Sequence, residues 1–175
     1  MFVFRGILML YNKTVAVVVP AYNEEKQIAR VLATMPEFVD RIIVVNDCSS
    51  DNTADVVLSC IQQQCVPGAT ISAGNPQYDG NQYDRAEILL REKQQNDAGF
   101  YIPSEIANNT PETDRIILIN HLKNGGVGAA IATGYKWCRD HAIDCTAVMA
   151  GDAQMDPAEL EKICTPVLTG EVDYV

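Results

Sequence analysis

Apolar runs and polar turns alternate along this chain in the rhythm of a wound sheet. Thr14 to Pro20 is a continuous run rich in valine, and Arg41 to Val45, Ile116 to Ile119 and Cys145 to Ala150 repeat the theme. Short unbroken apolar runs predict strands covered on both faces, as in a parallel sheet, because a solvated face would impose alternation. Between them lie stripes at helical spacing: Ile28, Val31, Leu32 and Met35; then Val56, Val57, Cys60 and Ile61; then Ile131, Tyr135 and Trp137. A last helix is expected from about Pro157 to Leu168. Asn23 is the expected N-cap of the first helix, with Glu24 and Glu25 in its positive first turn, and Ser50 or Asp51 the cap of the second. Alternating strands and helices with right-handed crossovers predict an α/β fold, a mostly parallel sheet covered by helices. In such sheets ligands collect at the carboxyl ends of the strands.

Two stretches depart from the rhythm. Residues 65–115 are rich in Asn, Gln, Pro, Gly and Asp, with one helical pattern around Asp84 to Gln95 and no clear strand. A connection this long reads as an insertion into a single domain spanning 1–175. At the other end, Val172 to Val175 reads as the start of another strand.

Composition narrows the chemistry. Thirteen Lys and Arg against twenty-three Asp and Glu give a net charge of −10, which argues against a nucleic-acid partner. An anionic ligand would need a cation or backbone N–H groups to neutralise it. The six cysteines form no C-x-x-C pair and have no neighbouring histidines, so zinc is not expected. Several sit inside apolar runs and read as reduced core residues, which implies a reducing, cytoplasmic compartment. The apolar Met1 to Tyr11 is too short to span a bilayer and lacks a cleavage pattern, and no later stretch reaches that length. The chain reads as soluble, able to lie at the cytoplasmic face of a membrane.

The stretch Val148 to Pro157 concentrates the candidate chemistry: a strand ending in a small-residue turn with Asp152, Gln154 and Asp156. Hard oxygen ligands at alternate positions can converge on one Mg²⁺ or Mn²⁺. Asp156, directly before Pro157, reads better as a helix cap, whereas Asp152 caps nothing obvious. Asp47 ends the second strand and either accepts from a nucleobase N–H or closes an Asx turn; both readings fit. Pro20, Tyr22 and Glu24 stand at the neighbouring strand end, where an aromatic and a carboxylate can meet a base or ribose. Asn124 to Gly128 is either a phosphate cradle or a helix–strand packing turn. It matches neither the P-loop nor the dinucleotide pattern. Lys123 beside it either meets a phosphate or is solvated. His121 and His141 read as structural, and no Ser-His-Asp or Cys-His arrangement is apparent.

In their order along the chain these turns resemble the family 2 glycosyltransferases of GT-A (Rossmann-like) fold. Val18-Val19-Pro20-Ala21-Tyr22-Asn23-Glu24-Glu25 is similar to the family's first-strand signature, and Val44 to Thr53 to its second. Asn124-Gly125-Gly126-Val127-Gly128-Ala129-Ala130 with Gly134 resembles the third, and the turn at Asp152 the metal-binding D-x-D-x-Q motif. Within the family the chain resembles most the polyprenyl- or dolichyl-phosphate sugar synthases. The resemblance implies a metal-dependent inverting transferase moving a sugar from a UDP- or GDP-linked donor to a lipid-phosphate or glycan acceptor. It implies Pro20, Ala21, Tyr22, Glu24, Asp47, Lys123, Gly125 and Asp152 as substrate-binding, Asp152 as catalytic, and Asp152 with Gln154 as ligands of Mn²⁺ or Mg²⁺. Departures are Ala150 in place of the first Asp of D-x-D, Asn46 for an Asp, and Asp51-Asn52 for Asp-Gly. The resemblance covers only the N-terminal nucleotide-binding half of that fold, with the acceptor-binding half expected beyond Val175. A catalytically incomplete nucleotide-binding or interaction module is the alternative. A sugar-phosphate nucleotidyltransferase is a further one, against which stands the absence of a basic Gly-rich loop after the first strand.

Overall fold

A computed structural model describes residues 10–63 and 101–175. In chain order its elements are β1 (Val15–Ala21), α1 (Ile28–Ala33), β2 (Arg41–Asn46), α2 (Thr53–Gln63), β3 (Ser104–Ile106), β4 (Ile116–His121), α3 (Val127–Asp140) and β5 (Cys145–Val148). One 3-10 turn (Pro157–Glu159) then leads into α4 (Leu160–Leu168). The five strands form one sheet in the order β3-β4-β2-β1-β5, parallel except for β3 on the β4 edge. This is the helix-covered α/β sheet of a GT-A, Rossmann-like fold.

The valine-rich runs are strands because both of their faces are buried. Val15, Val17 and Val19 of β1 point with Ile42, Val44, Ile116 and Leu118 toward α1, α2 and α4. Ala16 and Val18 point with Ile43, Val45, Ile117 and Ile119 toward Ala130, Trp137 and Cys138 of α3. Glycine is required where α3 crosses β1. A Cβ on Gly134 would fall 2.8 Å from Val18 Cγ2 and closer still to Cγ1. Register then sets the site: Ala21 pairs with Asn46, Asn46 with Asn120 and Val18 with Val148, so all four parallel strands end on one edge of the sheet.

Several expectations need correction. Asn23 does not cap α1. It sits at φ 58, its side chain accepts from the Ser50 amide at 2.9 Å, and the helix begins only at Ile28. That helix ends at Ala33, before Met35. The second cap holds in substance, because Asp51 Oδ1 accepts from the Thr53 amide at 3.0 Å. The supposed strandless insertion contributes β3, too short and exposed to show a pattern; the helix expected at Asp84 to Gln95 lies outside the described residues. β5 stops at Val148 rather than Ala150. Val172 to Val175 forms no strand, because it follows the Gly170 bend and lies beside β5 and α4 without ladder bonds. Among the described residues no helix is long and apolar enough to cross a membrane.

Candidate functional site

The β1 and β2 turns are stitched together before any ligand is considered. Asn23 N donates to Ser49 Oγ at 3.0 Å, Glu24 N to Thr53 Oγ1 at 2.8 Å and Glu25 N to Asp51 Oδ2 at 3.1 Å. Asn52 N returns a bond to Glu25 Oε2 at 3.1 Å. The polar residues after Asp47 thus hold the β1 turn in place. Burial opposes ionisation of Asp51, but the Thr53 hydroxyl and the amides it accepts hold its carboxyl below the usual range.

Beside this stitched pair, at the carboxyl ends of the strands, lies a cavity of about 200 Å³. Pro20, Ala21, Tyr22 and Glu24 line it from β1, Asp47 from β2, Val127 and Ala130 from α3, and Ala150, Gly151 and Asp152 from the turn after β5. Gly151 lets that turn approach, since a Cβ there would meet the Pro20 carbonyl at 3.2 Å. Residues far apart in sequence, Pro20, Ala21, Tyr22, Glu24, Asp47 and Asp152, therefore share one wall. Lys123 is exposed and, like Gly125, does not line it. Tyr22 lines it while staying half-exposed.

Asp47 has the most constrained carboxylate here, 3% exposed. Its Oδ1 accepts from Gly125 N at 2.8 Å and faces His121 Nδ1 at 2.7 Å, and its Oδ2 accepts from Gly126 N at 2.7 Å. Asn124 Nδ2 donates to the Asp47 carbonyl at 3.0 Å. The amides of the Gly-rich turn, considered as a phosphate cradle, thus bind an anion supplied by the protein itself. Gly126 sits at φ 82, a conformation that favours glycine. His121 is buried and its Nε2 lies 2.8 Å from Thr133 Oγ1, completing an Asp47–His121–Thr133 chain. Sequence reading set His121 aside and missed Thr133. Their only signal was a polar residue closing β4 and another on the buried face of α3.

The turn after β5 divides. Asp152 faces the strand-end cavity, whereas Gln154 and Asp156 line a separate one of about 530 Å³ against Arg30, Val31 and Thr34 of the α1 region. Gln154 N donates to Asp152 Oδ1 at 3.1 Å. Asp156 caps the following helical turn through Ala158 N at 3.0 Å, as expected. Ala153 between them stands at φ 60.

The donors here suit a hard divalent cation, being carboxylate and amide oxygens. Burial and then the negative charges of Asp152 and Asp51 push the Glu24 carboxyl up, the response of a carboxylate facing like charge across a cavity. Among the described residues no three His, Cys, Asp or Glu side chains converge, and Ala150 adds no ligand. Glu24 and Asp152 bring carboxylate oxygens of that kind to the strand-end cavity, and Gln154 does not line it.

Comparison with known proteins agrees with this layout. Residues 16–70 match the family model described as glycosyl transferase family 2. Over 165 residues the chain is 27% identical to a UDP-N-acetylglucosamine–dolichyl-phosphate N-acetylglucosaminyltransferase of Methanococcus voltae. That match covers 94% of this chain and 51% of the relative, so the chain spans about half the length of the curated relative it matches. β1 and β2 with their turns lie inside the matched segment and the Gly-rich and post-β5 turns stand on the same edge of the sheet, so the chain is similar to glycosyl transferase family 2 over its first two strand-end turns.

Proposed function

We propose that the chain binds a UDP- or GDP-linked sugar in the strand-end cavity and forms the donor-binding half of an inverting glycosyltransferase whose acceptor is a polyprenyl or dolichyl phosphate. The observation that carries this is the single cavity shared by the β1, β2 and post-β5 turns. The relative's name, with its UDP-sugar and dolichyl phosphate, supports the same choice of partners. Tyr22 packs on the base or ribose, Glu24 accepts from a ribose hydroxyl, and Asp47 accepts from a base N–H. Asp152 is the catalytic carboxylate at the diphosphate end.

A divalent cation, Mn²⁺ or Mg²⁺, held by Asp152 would neutralise the leaving diphosphate, while Gln154, expected as its second ligand, lines the other cavity and would have to turn toward Asp152 to join it. Among the described residues no lysine or arginine lines this cavity, so a protein of charge −10 leans on such a cation for binding an anionic donor. Transfer forms a bond from an acceptor phosphate oxygen to the anomeric carbon as the bond to the diphosphate breaks. A phosphate acceptor is already ionised near neutral pH, so little general-base help is needed. A lipid acceptor would put the reaction at a membrane surface.

Calorimetric titration with UDP, GDP and their sugars, with and without Mn²⁺, tests this. Binding strengthened by the metal is expected, and Ala150→Asp, which adds a carboxylate to the same wall, should strengthen it further. No binding by a folded sample would refute the reading. Binding without turnover would favour the interaction-module reading, which the half-length match to the relative keeps in play.

A further inference from the structure

We propose that His121 selects the nucleobase: by filling one oxygen of Asp47 it leaves that carboxylate a single open acceptor, suited to uracil and not to guanine. This rests on the nucleotide-sugar reading above and adds to it a residue buried behind the cavity wall.

An ionised carboxylate offers about four acceptor positions. Oδ1 of Asp47 meets two donors, Gly125 N at 2.8 Å and His121 Nδ1 at 2.7 Å, and is full. Oδ2 meets one, Gly126 N at 2.7 Å, and among the described residues no other donor reaches the side chain. One position on Oδ2 stays open on a residue that lines the cavity. At 2.7 Å from a carboxylate oxygen, Nδ1 of His121 must carry the proton, since two lone pairs would repel. This holds for either charge state of the ring. Neutral, its Nε2 accepts from the Thr133 hydroxyl; protonated, it donates to the same oxygen at 2.8 Å. The ring cannot swing aside, being 3% exposed at the end of β4 and held at both nitrogens. Nor can the Gly125 amide withdraw easily, because the Asn124 side chain fixes its loop to the Asp47 carbonyl.

Uracil presents one edge N–H between two carbonyls. Guanine presents two parallel N–H groups that a carboxylate meets with one oxygen each. Here the second of those donors finds Oδ1 occupied. A buried donor left unpaired costs roughly tenfold or more in affinity.

The test is calorimetric titration of the chain with UDP and with GDP, each with Mg²⁺. UDP is expected to bind about tenfold tighter or better. His121→Leu reopens Oδ1 and should bring the UDP to GDP ratio close to one. His121→Asn keeps an N–H donor in similar reach and should restore the preference, which a merely structural role for the ring would not predict. If His121→Leu does not fold, proton NMR of the unaltered chain decides. The His121 Nδ1–H and Gly125 amide resonances should keep their hydrogen-bonded positions as UDP is added, and loss of either overturns the proposal. Equal affinity for UDP and GDP, or an unchanged ratio in folded His121→Leu, overturns base selection alone. Binding of neither nucleotide overturns the nucleotide-sugar reading and this proposal with it.

Discussion

Removing the Asp47 carboxylate should expose how much of the site depends on it. In Asp47→Ala three donors lose their acceptor at once: Gly125 N, Gly126 N and His121 Nδ1. The glycine amides belong to a turn that is partly open, so water replaces much of their loss. His121 is 3% exposed and water does not reach it without opening β4 from α3. An unpaired buried donor costs about 1–3 kcal/mol. A loss of about 1–3 kcal/mol is expected, a sizeable share of the roughly 5–15 kcal/mol that holds a typical domain. Urea unfolding should show a lower midpoint at unchanged slope. Amide exchange at Gly125 and Gly126 should accelerate well beyond that of the β1 core. A loss below about 1 kcal/mol with unchanged exchange at both glycines would refute the account of Asp47 as the pin of this turn.

Other substitutions probe separate links of the argument. Gly134→Ala drives a methyl into Val18 where α3 crosses β1 and should destabilise by about 1–3 kcal/mol in thermal or urea unfolding. Cys48 is exposed at φ 59, a conformation costing an L-residue roughly 1–2 kcal/mol, so Cys48→Gly should gain about 0.5–1 kcal/mol after the entropy of glycine in the unfolded chain; a loss would show that its side chain packs on something. Glu24 has a carboxyl raised by burial and by the charges of Asp152 and Asp51. The folded state therefore binds its proton more tightly than the unfolded chain. The resulting stability is present below the ordinary value of 4.5 and disappears as pH rises through the elevated folded value. Melting curves over that range should show Glu24→Gln gaining on the unaltered protein as pH rises. A constant difference would place Glu24 away from Asp152.

Much of the architecture was legible because burial leaves a simple trace. A strand covered on both faces cannot alternate, so the runs at Val15, Ile42 and Ile116 announced a parallel sheet with helices on either side. The strand-end turns were equally visible, since polar residues after an apolar run have nowhere to go but the sheet edge. β3 escaped because three exposed residues on an outer strand carry no pattern. Asn23 misled for a different reason. The same short side chain that caps a helix can instead accept from Ser50 across to the next turn, and only the adjacency of β1 and β2 decides between them.

The sequence by itself determined the four buried parallel strands and that Pro20, Tyr22, Glu24, Asp47 and Asp152 stand at strand ends. Those properties depend on neighbours a few positions away. What each polar group does there was settled by partners brought close through the fold. Asp47 meets His121 and Gly125 more than seventy positions on, Asp152 and Gln154 part into different cavities two positions apart, and Asp51 turns back to hold Glu25. Hydrogen bonds act over about 3 Å of space and take no account of sequence separation. Hence one dimension could identify the candidates, while their division into pins, caps and ligands awaited three.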